Sequence, residues 1–596
     1  MDRRNFLKKS TLAGAAGIAS LSGLNSINAS GFVPDRAAEQ EYGERLYNGI
    51  QLPEIWPPRN YEPDSYNPMP VPYLNSPPKV IPIDVGRQLF VDDFLIEYTD
   101  LNRKFHQPVK HENNPLLKPE TEVEMNQGIC PNAAPFSDGC FYDPQDNLYK
   151  LWYQAGWFDG TALAISKDGI HWGRPDLNVI PGTNLVLDHK KELGRDKRRN
   201  GVSVWLDHEA KNSDERFKMY WYAQEGKIGG RLRGGTGFLL TSPDGIHWKW
   251  HGEIGRTDDN STFYYNPYRK KWCFTVRRFG RAIPPWAYET WSGSDRGQRG
   301  RARSYWENCD FFEALDDWSG FQPVFWFGAD RYDRRRKNYQ IGGAPQIYKV
   351  DAAGYESLMI GFIQTHYGPE NSVCAKGGFP KLTELQLAFS RDGFHWDRTN
   401  RETFIDATLE KDSWERAYIH SIGGVCNVVG DKLYFYYTAF QGDKKNLNPH
   451  GAWNGMYANA STGLAILRRD GFASMEAGSE ERKLCTRPIM FSGKHLFVNV
   501  DGGHGNLVIE ICQEDGTPIP GFTRNDCKPV SIDSTKHIVA WNNGDSVESL
   551  VDKPIRLKFY LSDSKLYSFW VSRNREGRSG GATAAGGPGL NGTWDI

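Results

Sequence analysis

Charged side chains recur along this chain in an alternating order that suits acid–base chemistry. Glu122, Glu124 and Asn126, with Asp138 further on, are followed by Arg198, Arg199 and Asn200. Then come Asp258, Asp259 and Asn260, next Arg334 to Arg336 with Tyr339 and Gln340, and finally Glu415, Arg416 and His420. Hydrolysis of a glycosidic bond needs two carboxyls flanking that bond, one as acid and one as nucleophile or base. A neighbouring Arg keeps one carboxylate ionised while burial raises the pKa of another, so acid and base coexist at neutral pH. In that scheme Asp258 or Asp259 is base or nucleophile, Glu415 is general acid, and Glu124 is a third carboxylate that orients substrate or tunes a pKa. Each of the four also suits a surface turn or a strand-end ion pair.

Arginines crowd the stretch from 277 to 336: Arg277, Arg278, Arg281, Arg296, Arg299, Arg301, Arg303, Arg331 and Arg334 to Arg336. A solvated loop would account for them. So would recognition of an anionic sugar, uronate or sulfated, because the guanidinium fork matches carboxylate and sulfate oxygens. Trp286, Tyr288, Trp291 and Trp306 interleave with them and suit stacking on sugar faces. The expected substrate contacts are Arg199, Asn200, Arg277, Arg278, Arg334, Arg416, His420 and, from the loop Gln364-Thr-His366-Tyr-Gly, His366. His450, in Asn448-Pro-His450-Gly, has the same loop character. No zinc spacing, C-x-x-C pair, phosphate cradle or G-x-S-x-G elbow is present. No cofactor is expected, an axial Ca²⁺ being the one metal left open.

These positions take their meaning from a repeat. Ser166-Lys-Asp168-Gly169-Ile-His171-Trp172, Ser242-Pro-Asp244-Gly245-Ile-His247-Trp248 and Ser390-Arg-Asp392-Gly393-Phe-His395-Trp396 share the pattern S-x-D-G-x-H-W, each after a short apolar run. Asp-Gly supplies a turn with φ > 0, and the Ser and Asp side chains bond neighbouring backbone. Asp168 and Asp244 lie 76 residues apart, and Asp244 and Asp392 lie 148 apart, about twice that. The period predicts a degraded copy around Cys309-Asp310-Phe311-Phe312 and Asp317-Trp318, and a fifth at Arg469-Asp470-Gly471-Phe472. A catalytic triad repeated in this way is implausible, so His171, His247 and His395 are structural. Within a unit, short β-rich runs such as Gly139 to Tyr142, Tyr149 to Tyr153 and Ala162 to Ile165 alternate with turns. Five such units predict an all-β fold, a five-bladed β-propeller over 83–472. Side chains at the start of the innermost strands then converge on one mouth of the axis.

After Phe472 five alternating apolar–polar runs predict an independent β-sandwich over 473–572, followed by a Gly-rich, disordered tail at 573–596. Residues 30–82 are rich in Pro and predict an extended arm. At the N-terminus, Arg3-Arg4-Asn5-Phe6-Leu7-Lys8-Lys9 resembles the twin-arginine export motif, and residues 1–29 are expected to be a signal peptide cleaved after Ala29. The expected location is periplasmic or secreted, with no membrane anchor. Net charge is −1 and 13% of the 596 residues are aromatic. This composition favours a carbohydrate partner over nucleic acid, and it sets no oligomeric state.

A five-bladed propeller followed by a sandwich resembles the glycoside hydrolases of families 32 and 68, and the blades alone resemble families 43, 62 and 117. Ile83 to Ile96 (IDVGRQLFVDDFLI), the Phe-Tyr-Asp-Pro and Tyr-Lys-Leu-Trp-Tyr pair, Arg469 to Phe472, Thr486-Arg-Pro488 and Leu566-Tyr-Ser-Phe569 carry a closer likeness. They are similar to a group of exported bacterial proteins described as family 32-like hydrolases, over roughly residues 45–572. The Asn-Asp-Pro-Asn-Gly, Arg-Asp-Pro and Glu-Cys motifs of family 32 sites are absent, which argues against fructan. The resemblance implies an exported glycoside hydrolase acting on a plant or algal polysaccharide. Two alternatives stand beside it: a non-catalytic carbohydrate-binding propeller, and a polysaccharide lyase acting on a uronate. Carboxylates converging on one pocket would mark the hydrolase. Carboxylates scattered round the rim would mark the binding protein, and an axial His-Tyr-Arg cluster without a close carboxyl pair would mark the lyase.

Overall fold

The computed structural model describes residues 42–59, 65–194, 197–225, 227–228, 231–232, 235–282, 299–316, 323–446 and 454–596. The expected signal peptide, Trp286, Tyr288, Trp291, Arg296, Asp317, Trp318 and His450 lie outside the described residues. What is described is all-β, and none of its helices is long and apolar enough to cross a membrane.

Five antiparallel sheets follow one another in sequence. The first is built from Ala133–Asp143, Leu148–Ala155, Gly160–Ser166 and Leu185–Leu187; the second from Lys197–Leu206, Phe217–Glu225, Thr236–Ser242 and Lys249–Arg256. Thr262–Asn266, Lys271–Ala282, Arg299–Asn308 and Val324–Gly328 form the third. The fourth contains Gln346–Glu356, Leu358–Gly368, Leu382–Ser390 and Thr403–Ile405. Ala417–His420, Lys432–Phe440 and Ala460–Arg468 form the fifth, whose outermost strand is Val109–Lys110 from far upstream.

Side chains near the first strands join the sheets in a cycle. Arg199 pairs with Asp138, linking second to first. Tyr222 Oη donates to Asp258 Oδ1 at 3.5 Å, where the chain enters the third sheet, and Thr262 Oγ1 donates to Val350 O of the fourth at 2.6 Å. Lys349 Nζ reaches Ser421 O beyond the fifth sheet's first strand at 2.7 Å, and Gly423 N–H donates to Ser137 O of the first at 2.7 Å.

The repeated turn closes the joints between sheets. In each copy the Asp Oδ1 accepts the two N–H groups that follow Gly, and the His Nδ1 lies 2.7 Å from Oδ2 of the same Asp. An aromatic of the preceding sheet then donates into the turn. Tyr436 Oη bonds Gly169 O at 2.7 Å, Trp152 Nε1 bonds Gly245 O at 2.8 Å, and Trp326 Nε1 bonds Phe394 O at 2.8 Å. Gly245 sits at φ +80°, and an added Cβ would stand 2.5 Å from Trp152 Cζ2. Gly245→Ala should therefore lower stability by about 1–3 kcal/mol through strain and overpacking, which chemical unfolding of the purified variant measures.

Two six-stranded sheets complete the chain, and here the expected boundaries shift. One holds Ile489–Met490, Ile555–Ser562, Arg482–Thr486 and Asn506–Gln513 together with Ile81–Pro82 and Ile96–Thr99. The other holds Asp533–Ile538, His495–Asp501, Ser564–Ser572 and Ala473–Ala477 together with Asn102–Phe105 and Gln88–Leu89. The stretch from Ile83 to Ile96, expected to open the propeller, thus pairs with these C-terminal sheets and gives Ile83, Phe90, Phe94 and Leu95 to their apolar core, with Phe90 against Phe559 and Phe569. Its alternating pattern suits either sheet, and only long-range pairing decides. The Gly-rich 573–596 segment, expected to be disordered, is also ordered. Ala582–Thr583 pairs with Tyr355 and Glu356 at the edge of the fourth sheet, and Ala585 and Leu590 are buried. Its glycines serve close approach, since a Cβ on Gly587 would run into the Val428 carbonyl.

Candidate functional site

The four expected carboxylates do not form one catalytic pair. Glu124 is fully buried: its carboxylate closes a capping box with Thr121 and accepts from Tyr153 Oη at 2.5 Å and Arg174 Nε at 2.7 Å. Burial pushes its pKa up, but the Arg174, Thr121 and Tyr153 bonds outweigh that and hold it below the usual range. Glu124 is a structural acid. Glu124→Gln should cost about 1–3 kcal/mol in unfolding while leaving kcat/KM unchanged, because the carboxylate is closed off by Thr121, Tyr153 and Arg174.

Glu415 is engaged away from the axis, by Lys110 Nζ at 3.1 Å and Tyr437 Oη at 2.8 Å, groups of the fifth sheet's outermost and second strands. Asp258 and Asp259 stand at the entry to the third sheet, 35% and 27% exposed, and both are gripped by Arg277. They are the two expected acids that keep partial access to solvent beside a first strand.

The basic and polar candidates divide likewise. Arg199 is buried, paired with Asp138 and donating from Nε to Thr161 Oγ1 at 3.0 Å. Asn200 donates to Gln224 Oε1 at 2.8 Å. Arg278 is half-buried on the strand of Arg277, Arg334 is exposed, and the Arg416 guanidinium lies 5.5 Å over the Phe379 ring. The fourth sheet's first strand begins at Gln346, twelve residues beyond Arg334, so the Arg334 to Gln340 stretch does not supply its inner side chains.

That later start brings in residues the repeat phase missed. Tyr348 Oη lies 3.0 Å from Tyr418 Oη and accepts from Lys381 Nζ at 3.3 Å. The Arg301 guanidinium sits 5.3 Å over the Tyr348 ring, and the His366 ring stacks on it with centroids 5.4 Å apart. His420 lies edge-on to Tyr418 at 4.3 Å and beside Phe136 at 4.3 Å. Burial alone would raise the Tyr348 phenol, but the Lys381 and Arg301 cations, the Tyr418 bond and Arg277 together pull it well below the ordinary phenol range. Burial drives His366 and His420 far below the usual imidazole range, with Arg301 and Lys381 adding for His366 and Lys349 and Lys381 for His420, so both rings are neutral. Burial and the neighbouring Tyr348 raise Tyr418, so it keeps its proton.

Buried polar atoms without a hydrogen-bond partner among the described residues occur at or next to the first two strands of each of the five sheets. Gln154 Nε2 comes from the first sheet, Arg199 Nη1 from the second, and both side-chain atoms of Asn260 precede the third. His366 Nδ1 and Gln364 Oε1 come from the fourth, and both ring nitrogens of His420 from the fifth. Such groups cost free energy unless something pairs with them, which makes the Tyr348 cluster, with His366 and His420 beside it, the candidate polar site. Of the expected residues the structure brings His366 and His420 together here, and Asp258, Asp259 and Arg277 at the adjoining rim. No cluster of three or more His, Cys, Asp or Glu able to hold a metal occurs among the described residues.

No family model matches the chain, and no curated protein matches it. Among solved structures it is similar to an N-acetylgalactosamine deacetylase from F. plautii, at 13% identity over 63% of this chain and 96% of that one, with a TM-score of 0.37. It is also similar to a fructofuranosidase from Schwanniomyces occidentalis (10% identity, 78% and 98% covered, TM-score 0.35). An α-L-arabinofuranosidase from Lactobacillus brevis is a third neighbour (10% identity, 60% and 94% covered, TM-score 0.34).

Proposed function

We propose that the chain is an exported carbohydrate-active enzyme, a five-bladed β-propeller with a β-sandwich, that cleaves glycosidic bonds in an anionic plant or algal polysaccharide. The cyclic bonding of the five sheets supports the propeller. One observation carries the chemistry: the Tyr348 phenol stands against Lys381, under Arg301 and beside two neutral imidazoles, with no carboxylate among the described partners of Lys381. This arrangement supports the reading of a His-Tyr-Arg cluster of the kind expected of a lyase on a uronate.

In such a reaction the cations neutralise the uronate carboxylate and so acidify the adjacent C5–H. Tyr348, as phenolate, takes the C5 proton. The electron pair left behind forms the C4–C5 double bond and the C4–O bond breaks, while the Tyr348 phenol returns the proton to the departing oxygen. Hydrolysis is the second reading, favoured by Asp258 and Asp259, which are part-exposed and both ion-paired with Arg277. Incubation with uronate-bearing, sulfated and neutral polysaccharides decides between them. Elimination yields one ultraviolet-absorbing double bond per new reducing end, hydrolysis yields reducing ends without that absorbance, and binding without new ends refutes both.

A further inference from the structure

Tyr418 lies where the fifth sheet departs from regular strand geometry. In Ala417–His420, the first strand of that sheet, Ala417 pairs with Phe440 and His420 with Thr438, so over that span the strand carries one residue more than its neighbour. Tyr418 itself sits at φ +59°, in the left-handed region that large side chains rarely occupy. A bulge of this kind re-aims a side chain, and such backbone outliers cluster at functional sites. We infer that Tyr418 is the positioning residue of the axial site: the bulge turns its hydroxyl toward the Tyr348 oxygen, fixing where that oxygen stands and donating to it. The inference rests on the reading of Tyr348 as the base of an elimination.

Packing accounts for the Tyr418 ring and leaves its oxygen unexplained. The ring meets Phe440 at 4.8 Å and His420 at 4.3 Å, contacts that phenylalanine would make as well. The hydroxyl is instead a polar group placed in a buried cluster with Phe136, Trp157 and Phe440, which costs free energy unless it is bonded. Among the described residues its hydrogen-bond partner is Tyr348 Oη, at 3.0 Å.

The surroundings set the direction of that bond. Charged and titratable groups act on Tyr348 from three sheets: Arg277 and Arg301 from the third, His366 and, just ahead of the third strand, Lys381 from the fourth, and Tyr418 and His420 from the fifth. Three of these are cations and both imidazoles are neutral, so negative charge is favoured on the Tyr348 oxygen. Burial and Tyr348 itself raise Tyr418, which keeps its proton. Tyr418 therefore donates and Tyr348 accepts, beside the Lys381 donor at 3.3 Å. Two donors from fixed directions hold a phenolate oxygen in one place.

Tyrosinate absorbance of the full chain, recorded from neutral to alkaline pH with no substrate present, tests this. The difference between the parent and Tyr348→Phe should show one phenol ionising below the ordinary value of about 10. In Tyr418→Phe that step should move up by about one to two pH units, the worth of a hydrogen bond to a charged group. Tyr418→Asn, a residue type suited to the same backbone and too short to reach Tyr348, should move it likewise. Tyr457→Phe should leave it in place, since the Tyr457 hydroxyl accepts from Asn371 at 3.3 Å. On a uronate-bearing polysaccharide, Tyr418→Phe should lose about ten- to a hundredfold in kcat at neutral pH, with KM unchanged, and regain it at higher pH. A purely structural loss would not be regained in that way. An unmoved step in both Tyr418 variants, an equal shift in Tyr457→Phe, or no such step in the parent would each overturn the assignment. A step displaced as expected, with no elimination product from the parent, would remove the reaction and leave the Tyr418–Tyr348 pair standing, so the two failures read apart.

Discussion

Tyr348→Phe is expected to lower kcat/KM on a uronate-bearing polysaccharide by about 10²–10⁴-fold, the usual worth of a positioned acid–base group, and to do so mainly through kcat. The ring, its stack on His366 and its place under Arg301 all survive the change, so stability should fall only through the lost Tyr418 and Lys381 bonds, by about 1–3 kcal/mol. The same geometry sets a pH signature. The Tyr348 phenol is pulled down by Lys381 and Arg301, so the limb of the rate profile that requires phenolate should rise at a pH below the ordinary phenol range. Lys381→Met removes a cation that favours the phenolate, which raises the phenol pKa and should move that limb to higher pH. Rate profiles of parent and variant across neutral to alkaline pH measure both effects. Full activity in Tyr348→Phe, or an unmoved limb in Lys381→Met, would remove Tyr348 from the chemistry.

The contrast between what the repeat revealed and what it concealed is physical. S-x-D-G-x-H-W is legible because its bonds are local: Asp168 Oδ1 caps N–H groups two and three residues on, and that geometry requires those residue types at that spacing. From it come the all-β class, the period and the structural role of the three histidines. The partner that donates into each turn, such as Trp152 to Gly245 O, is on another sheet and leaves no local trace. The site suffered from the same limit. The repeat phase predicts the fourth unit's inner strand near Arg334, whereas it starts at Gln346, and Tyr348 falls outside that expectation. The acids failed for a related reason. Glu124 is a local capping-box residue, Thr121-x-x-Glu124, a spacing the sequence carries and the repeat phase does not read. Glu415 meets Lys110 across more than three hundred residues, a pairing no window shows.

Asp470→Asn is expected to destabilise the chain by about 3–5 kcal/mol at neutral pH, since removing one member of a buried ionic network strands its partner. Asp470 opens the fifth turn, at φ +60° and 1% exposed, and here the motif has exchanged its local bonds for distant ones. Its Oδ2 accepts from Arg87 Nη1 at 2.9 Å, Ser568 Oγ at 2.6 Å and Asn499 Nδ2 at 3.0 Å, and Oδ1 accepts from Tyr355 Oη at 2.6 Å. Arg87 also lies 3.4 Å from Glu356, which Arg469 reaches at 3.0 Å, and its guanidinium is stacked 4.0 Å over Trp570. Three stretches singled out in the sequence, Ile83 to Ile96, Arg469 to Phe472 and Leu566 to Phe569, thus meet at one carboxylate that joins the fourth and fifth sheets to a six-stranded one. The joint also has a pH dependence of known sign. Burial would raise the Asp470 pKa, but Arg87 and Arg469 hold it below the value of about 3.9 that it has in an unfolded chain. Its contribution is therefore present in full above that unfolded value and is lost as pH falls through the lower folded one. Unfolding midpoints of parent and Asp470→Asn should stand well apart at pH 7 and draw together as pH drops below about 4. A constant gap across that range would mean that the carboxylate charge is not what holds the sheets together.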